Sequence, residues 1–292
     1  MQSYYEANAR ERLDGLLDPG TFREILPPVA RTLSPHLQAL DLPAAFDDGI
    51  VIGTAKLEGL AVLVAAQEGG FMGGAVGEVQ GAKITGLLER ARNAEVAGIV
   101  LLLETGGVRL QEANAGLIAV SEVIRAICAT RVAGIPVIAA IGGQYGCFGG
   151  MGIAAACCTG IVMSEEGRLG LSGPEVIETA HGVEEFDSRD RALVWRTVGG
   201  KHRFLLGDCD VLVDDRIDAF RRAIAQALRK GDRLDLDAVE REHALLQRRV
   251  DRFGGCDDGA DIWRDLGFPD PENVPLLATD ALVAISQRLR AA

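Results

Sequence analysis

Two glycine pairs in the sequence stand where a protein backbone could stabilise negative charge. Gly106 and Gly107 follow the apolar run GIVLLLE, and Gly149 and Gly150 follow the apolar run PVIAAIGG and a short loop. Each pair precedes a segment with helical spacing of apolar residues, and the start of a helix offers unpaired N–H groups with partial positive charge. Glycine also lets an external oxygen approach the backbone closely. The pairs therefore predict an oxyanion hole for one carbonyl oxygen, with tight turns and close packing as the competing interpretation.

Two groups of charged side chains suggest other chemistry. Glu104 and Glu112 flank the first pair and could form an acid/base dyad, which would suit a hydration reaction. Alternatively, Glu112 lies in the first turn of a helix, where a carboxylate interacts favourably with the helix dipole. Lys201, His202 and Arg203 form a basic cluster that could bind phosphates or an acidic partner, or could be a solvated surface.

A glycine-rich stretch, GGFMGGAVGEVQG, precedes the first of these sites in the chain. We expect Gly73, Gly74 and Gly77 to shape a loop that lines a substrate arm, with a turn-only role as the alternative. The stretch does not match the dinucleotide fingerprint Gly-x-Gly-x-x-Gly, and RTVGGKH does not match a P-loop. The glycines therefore do not predict nucleotide binding.

The composition restricts the classes of protein that the chain could be. With 292 residues, 48% of them hydrophobic and 25% charged, it is typical of a globular protein with a sizeable core. The net charge of −12 argues against nucleic-acid binding, because neutralising phosphates needs a basic face. The sequence has no long uncharged apolar run, and its N-terminus is polar and charged. We therefore expect a cytoplasmic protein without a membrane partner.

The cysteines and histidines do not match a metal site. The six cysteines contain no C-x-x-C pair, and the four histidines are scattered along the chain. Metal ligands normally include at least one pair at chelating spacing. We therefore expect buried thiols and no bound metal.

The periodicity of apolar residues divides the chain into three regions. Residues 1–48 are expected to form a helical arm, residues 49–230 a central domain, and residues 231–292 a tail of charged amphipathic helices that could cover the core or dock a partner. The central region begins with two β-branched runs, GIVIGTAKLEG and GLAVLVAAQEG, joined near Glu58 and Gly59. This pattern predicts a β-hairpin.

Strands and helices then alternate. The predicted strands are GIVLLLE, PVIAAIGG and GIVMSE, and the segments KITGLLERARNAEVA and CFGGMGIAAACC are predicted helices. Short apolar strands that alternate with helices predict a mainly parallel sheet covered on both faces. Another helix is predicted after the first glycine pair, with apolar positions at Leu110, Ala113, Leu117, Val120, Ile124 and Ile127.

Several of these segments together resemble one protein family. IPVIAAIGGQYGCFGGMGIAAACCTGIVMSEEGRLGLSGPEVI resembles the crotonase superfamily signature, and FMGGAVGEVQGAKITGLLERA followed by ETGGVRLQEAN resembles its acyl-CoA carboxyltransferase branch. ARERLDGLLDPGTFREI is similar to the N-terminal arm of that branch, and RALVWRTVGGKHRFLLGDCDVLVDD is most similar to the β subunits of biotin-independent malonate decarboxylases. The resemblance implies an α/β fold, a crotonase-like spiral of ββα units with an N-terminal helical arm and a C-terminal helical tail.

The resemblance also implies an activity and partners. In such enzymes a β subunit and a γ subunit together decarboxylate a malonyl thioester carried on an acyl carrier protein, whose prosthetic group derives from dephospho-coenzyme A. No biotin and no tightly bound cofactor are expected. The family's thioester oxyanion donors fall on Gly106 and Gly107, and its glycine-rich helix start falls on Gly149 and Gly150. Two alternatives remain open: a carboxyltransferase β subunit of a biotin-dependent acyl-CoA carboxylase, and a non-catalytic thioester-binding or scaffold subunit.

Overall fold

One mixed sheet organises the protein. The structure is a computed structural model that describes residues 2–231 and 233–291. Within those residues the strands lie in the sheet in the same order as in the chain. The first three strands pair with one another in antiparallel fashion, and the third to the seventh pair with one another in parallel fashion. The strands are β1 (Arg23–Ile25), β2 (Ile50–Leu57), β3 (Leu60–Gln67), β4 (Gly98–Leu102), β5 (Val137–Ile141), β6 (Gly160–Ser164) and β7 (Val211–Val213).

Helices connect the strands and cover the sheet. In the same described residues they are α1 (Ala9–Leu16), α2 (Pro35–Ala39), α3 (Glu78–Ala91), α4 (Asn114–Val132), α5 (Gly150–Ala156), α6 (Pro174–His181), α7 (Arg191–Val198), α8 (Gly200–Leu206), α9 (Ile217–Lys230), α10 (Leu236–Phe253), α11 (Gly259–Asp265) and α12 (Thr279–Ala291). The predicted alternation of strands with helices and the mainly parallel sheet are confirmed. A short strand, β7, was not predicted.

The predicted hairpin is formed by β2 and β3. Its two-residue turn consists of Glu58 and Gly59, which have φ angles of 47° and 78°. Positive φ at both central positions is the conformation that matches the twist of a tight hairpin. The turn sets the register in which Leu57 pairs with Leu60.

A second, shorter ladder runs beside the main sheet and gives the fold its repeat. Beyond β3, β4, β5 and β6, the chain forms isolated parallel bridges before it enters the next helix. Strand, bridge and helix therefore recur as a ββα unit, which is the crotonase-like arrangement. The parallel bridges join Val76 to Val108, Thr105 to Cys147, and Cys147 to Leu169.

Hydrophobic side chains cover the sheet on both faces. Along β3, Leu63 and Ala65 belong to the larger core, which includes α3, α4 and α5, whereas Val62 and Val64 belong to a second core with α1 and α9. Every residue of β4, β5 and β6 is buried. A strand buried on both faces needs apolar residues at every position, which explains the continuous apolar runs in the sequence.

The N-terminal region is not purely helical. Within residues 1–48, β1 pairs with β2 and extends the sheet, so the helical arm predicted for this region is only partly right. The Tyr4 ring stacks on Phe220 of α9 with 4.0 Å between ring centroids. The arm is therefore packed on the body of the protein through apolar and strand contacts.

The tail, as far as the structure describes it, contains helices and no strand. Trp263 of α11 and Leu282 of α12 are buried in the larger core, whereas α10 has no buried residue. The tail therefore contributes to the core through its last two helices, and α10 lies on the surface. None of the helices within residues 2–231 and 233–291 is both long and apolar enough to cross a membrane.

The long helix after the first glycine pair begins later than predicted. Leu110 lies in a short 3-10 turn, and Ala113, with a φ of 48°, separates that turn from α4. Of the predicted apolar face, Val120 and Ile127 are buried, but Leu110 and Leu117 are 85% and 55% exposed. The predicted helical stripe is therefore wrong at its N-terminal end, because Leu110 lies before the break at Ala113 and Leu117 lies outside the buried face of α4.

Candidate active site

The two glycine pairs meet at the carboxyl edge of the parallel sheet. The turn after β4 and the turn after β5 are joined by two backbone hydrogen bonds: Thr105 N donates to Gly146 O at 2.8 Å, and Phe148 N donates to Thr105 O at 3.0 Å. Gly149 lies so close to Gly107 that a Cβ atom on Gly149 would be 3.1 Å from the Gly107 Cα. Adjacent parallel strands end at the same edge of a sheet, so the predicted convergence of the turns has a simple topological cause.

Most of the predicted amide donors are already used inside the protein. Gly106 N donates to Gly73 O at 2.8 Å, Gly107 N donates to Thr105 Oγ1 at 3.0 Å, and Gly149 N donates to Leu171 O at 2.9 Å. These bonds hold the two turns in shape. The prediction that both glycine pairs donate to a substrate is therefore wrong for these three amides in this structure.

Two neighbouring amides have no acceptor among the described residues. They are the backbone N–H groups of Val108 and Gly150. Gly150 is the first residue of α5, where an amide has no intrahelical partner. A Cβ atom on Gly149 would lie 3.9 Å from Val108 N, so the amide of Val108 borders the start of that helix.

Val108 was not predicted as a donor, because the prediction was based on the positions of glycine residues. In its parallel bridge with Val76, Val76 N donates to Gly107 O and Arg109 N donates to Val76 O, both at 2.9 Å. Bridge geometry therefore leaves the N–H of Val108 turned away from Val76. The alternation of paired and unpaired amides along an extended segment is the signal that could have identified it.

The loop of Gly73, Gly74 and Gly77 is pressed against the first turn. Gly73 has a φ of 64° and accepts the Gly106 hydrogen bond, and a Cβ atom on Gly74 would overlap the carbonyl oxygen of Glu104. A Cβ atom on Gly77 would lie 2.5 Å from the Arg109 guanidinium. Close packing alone requires glycine at Gly74 and Gly77, and contact of this loop with a substrate arm remains a prediction.

Alanine substitutions should show whether glycine is required for close packing or is only preferred in a turn. We expect Gly74→Ala to destabilise the protein by about 2 kcal/mol or more, because the methyl group would overlap backbone at a φ of 67°. Gly106→Ala is the matched control, since its Cβ would have only Gly73 O at 3.5 Å and Gly106 does not have positive φ. Urea unfolding of both variants measures the difference, and equal stabilities would contradict the packing role.

A buried ion cluster lies directly behind Val108. Arg109 contacts Asp48 at 3.0 Å and Glu112 at 2.7 Å. Glu112 also accepts hydrogen bonds from Ser34 Oγ at 2.7 Å and from the backbone N of Glu78 at 2.6 Å. Burial favours the neutral acid at Glu112, but these donors outweigh it and hold its pKa below the ordinary value. Burial raises the pKa of Asp48, and Arg109 offsets only part of that rise.

The proposed acid/base dyad of Glu104 and Glu112 is not formed. Glu112 binds Arg109 and the first amide of α3, so it interacts with the N-terminus of α3 and not with that of its own following helix. Glu104 is paired with Arg12 of α1 and accepts a hydrogen bond from Tyr145 N at 3.3 Å. Both carboxylates are buried in separate ion pairs, which makes a shared role in proton transfer wrong for this structure.

The basic cluster is largely internal, so the interpretation of it as a solvated surface is wrong. Lys201 and His202 are 9% and 5% exposed, and Arg203 is half-buried. Lys201 is paired with Glu165 and donates to Pro275 O at 2.7 Å. The cluster therefore connects the central domain to the tail. Lys201 also lines a cavity of about 650 Å³, and binding of phosphates or of an acidic partner by the cluster remains a prediction. The remaining contacts are His202 with the edge of the Trp263 ring, and Arg203 with Asp208 and Thr197 O.

Acidification should weaken the protein through His202. Burial lowers the pKa of His202 to about 4, with the charge of Arg203 adding to the effect. The unfolded chain, with a pKa near 6.5, binds the proton first, so this contribution to stability is complete above about pH 6.5 and is lost as the pH falls towards 4. We expect a loss of about 2 kcal/mol between pH 7 and pH 5 that His202→Phe largely removes. Urea unfolding at the two pH values tests this; an unchanged pH dependence in the variant would contradict it.

Three of the six cysteines are buried, which disfavours their reactive thiolate form. Cys147, Cys158 and Cys209 are buried, and desolvation raises the pKa of each thiol well above its ordinary value. The expectation of buried thiols is confirmed for these three, whereas the other three cysteines are half-buried. No group of three or more His, Cys, Asp and Glu side chains within the described residues is placed to hold a metal ion.

Comparison with known proteins identifies relatives of this arrangement. The carboxyl transferase domain family matches residues 6–203. The malonyl-S-ACP:biotin-protein carboxyltransferase MADC of Malonomonas rubra is 40% identical, over 99% of this chain and 97% of that protein. A chain of the malonate decarboxylase hetero-tetramer of Pseudomonas, solved in complex with malonate, is 42% identical with a TM-score of 0.82, covering 91% of this chain and 97% of that one.

A second solved structure shows the same fold. A chain of the Pseudomonas malonate decarboxylase MdcD-MdcE hetero-dimer is 39% identical with a TM-score of 0.68, covering 84% of this chain and 96% of that one. Similarity extends over almost the whole length of these relatives. The chain belongs to the carboxyl transferase domain family, in a branch related to malonate decarboxylase.

Proposed function

We propose that the chain is the β subunit of a malonate decarboxylase and cleaves the bond between the α-carbon and the carboxylate of a malonyl thioester. The observation that carries the proposal is the pair of free amides, Val108 and Gly150, on neighbouring turns at the edge of the sheet. The thioester oxygen would accept a hydrogen bond from each amide. The similarity to malonate decarboxylase chains supports the choice of a malonyl group.

This chemistry suits a site built from backbone. Loss of carbon dioxide leaves the electron pair of the broken bond on the α-carbon, and conjugation with the carbonyl group forms an enolate with negative charge on the thioester oxygen. Protonation of the α-carbon then gives the acetyl thioester. No base is needed to begin, so the barrier depends on how well the enolate oxygen is stabilised. Removing one donor of this kind typically costs about 2.7 to 4 kcal/mol.

The geometry of the bound substrate must also favour cleavage. The carboxylate has to lie out of the thioester plane, so that the breaking bond overlaps the carbonyl π system. Fixed amides on two packed turns can hold the carbonyl in one orientation because their neighbours, Gly107 and Gly149, are in van der Waals contact. The malonyl group would be carried on an acyl carrier protein by a prosthetic arm derived from dephospho-coenzyme A.

An exposed apolar surface beside the site supports a partner subunit. Monomers seldom expose large contiguous apolar patches unless they bind a partner. We assign this surface to the γ subunit, which would close the open side of the site and supply the proton. The solved relatives are hetero-oligomers, which agrees with this assignment. The exposed residues are Leu110, Leu117 and Ile118 near the first turn, and Ile153 and Leu171 near the second.

A second function deserves testing because of one relative. The Malonomonas rubra protein transfers the carboxyl group of malonyl-S-ACP to a biotin protein, according to its name. The same enolate would form in that reaction, and only the fate of the carboxyl group would differ. The sequence identity to that protein, 40%, is close to the 42% identity to the Pseudomonas chain.

Avidin distinguishes the two reactions. The chain is co-expressed with candidate γ and acyl carrier protein subunits, and the complex is assayed for acetyl thioester and carbon dioxide from carrier-bound malonate. Release that is unaffected by avidin supports the proposed biotin-independent decarboxylase. Turnover that stops with avidin, or that requires a biotinylated partner, would assign the chain to carboxyl transfer instead.

A further inference from the structure

The outer face of α10 carries an apolar stripe that nothing in the described structure covers. The stripe consists of Leu236, Val239, His243, Leu246 and Val250, spaced by three, four, three and four residues. Its four apolar members are between 47% and 69% exposed, and no residue of α10 is buried. Spacing of this kind places side chains on one face of a helix and is the seam of a coiled coil.

The protein holds α10 by its other side. Arg249 contacts Asp208 at 2.6 Å, and Arg252 is paired with Asp265 of α11. Leu245 and Phe253 are half-buried, in contrast to the stripe. The helix is therefore anchored near its C-terminal end, with the seam left free along about 27 Å of surface.

The charges along α10 are separated by sign. The N-terminal half is acidic and the C-terminal half is basic, which lets the helix complement itself when it is reversed. Each half also has one residue of the opposite sign, Arg241 and Asp251. The acidic residues are Asp237, Glu240 and Glu242, and the basic residues are Arg248, Arg249 and Arg252.

We propose that α10 joins two copies of this chain as an antiparallel helix pair related by a two-fold axis. In that register His243 packs against Leu246 of the second copy and Val239 against Val250 of the second copy. The acidic half of each helix then lies beside the basic half of the other, and two-fold symmetry forms the same contacts twice. A parallel pair would place acidic half against acidic half and His243 against His243, so the charges select the antiparallel arrangement.

The surface area buried between the two helices determines the affinity that we expect for the dimer. A single pair of helices of this length falls at the low end of interface sizes, below about 1,200 Å2 in total, which is typical of weaker assemblies. We therefore expect a reversible dimer with a dissociation constant of about a micromolar. His243 is the only polar residue of the stripe, and a single polar seam residue is a known way to favour one register over others.

Sedimentation velocity of the full-length chain over a concentration series tests the dimer. Wild-type protein is expected to dimerise, and Leu246→Glu is expected to raise the dissociation constant about a hundredfold by burying an unpaired charge. Ala244→Glu adds the same charge on another face of α10 and should leave the dimer intact. A wild-type chain that stays monomeric throughout, or a Leu246→Glu chain that dimerises normally, would overturn the proposal.

A photocrosslinker in place of Leu246 identifies the occupant in the assembled complex. Capture of the region around His243 in a second copy of this chain is expected. Capture of a different subunit instead would overturn the proposal and assign the stripe to that subunit. The test does not depend on turnover, so failure of the proposed enzymatic activity would leave its result interpretable.

Discussion

Turnover of malonyl thioester by the assembled enzyme is expected to fall about a hundred- to a thousand-fold when Gly150→Pro is introduced into a Val120→Ala background. Proline removes the backbone N–H of Gly150, which has no acceptor within the described structure. The first position of a helix tolerates proline because its N–H is unused by the helix. Val120→Ala is needed because a Cβ atom on Gly150 would lie 2.6 Å from Val120 Cγ1.

The matched control is Gly150→Ala in the same Val120→Ala background. It adds a similar Cβ atom but keeps the N–H group, so we expect turnover close to that of Val120→Ala alone. Steady-state rates of carbon dioxide release measure both variants, with circular dichroism and complex assembly as checks of folding. Equal turnover of the proline and alanine variants would show that the amide has no catalytic role, which would favour the scaffold alternative.

Arg109→Met is expected to reduce the free energy of unfolding by about 3 to 5 kcal/mol. The substitution leaves Asp48 and Glu112 buried without the cation that both contact. Because Arg109 follows Val108 directly, we also expect the variant to lose turnover through displacement of the Val108 amide. Urea unfolding measures the first effect, and the rate of thioester decarboxylation in folded complex measures the second.

Neutralising the whole cluster distinguishes the effect of buried unpaired charge from the effect of altered side-chain packing. In the triple variant Arg109→Met, Asp48→Asn and Glu112→Gln no charge remains buried, so we expect much of the lost stability to return. A glutamine at position 112 keeps one oxygen that can accept the hydrogen bond from Glu78 N, and its NH2 group can donate to Ser34 Oγ. If Arg109→Met were as stable as the wild type, the cluster would not hold the turn as we infer.

The elements of the fold followed closely from local patterns. Glu58 and Gly59 predicted a tight turn, and the adjacent runs form the paired strands β2 and β3. The apolar runs in β4, β5 and β6 predicted strands buried on both faces, and all of their residues are buried. Such predictions succeed because periodicity and turn chemistry act over a few residues.

Surface and interior were harder to assign in irregular segments. Leu110 fitted a buried helical stripe, but it lies before the backbone break at Ala113 and is exposed. Lys201 and His202 suggested a charged surface, yet the tail covers them. In both cases burial depends on a backbone break or a distant segment that the local pattern does not contain.

Residue patterns predict that two glycine turns follow neighbouring parallel strands, because strand order and turn composition are local properties and parallel strands end at one edge. Which amides are free depends instead on contacts between distant segments. Gly73, Thr105 and Leu171 supply the acceptors that occupy the amides of Gly106, Gly107 and Gly149. Two of those acceptors lie more than twenty residues away in the chain, and a hydrogen bond depends on sub-ångström placement that residue types do not specify. The proposed oxyanion donors are therefore Val108, which follows the first predicted pair, and Gly150, which belongs to the second.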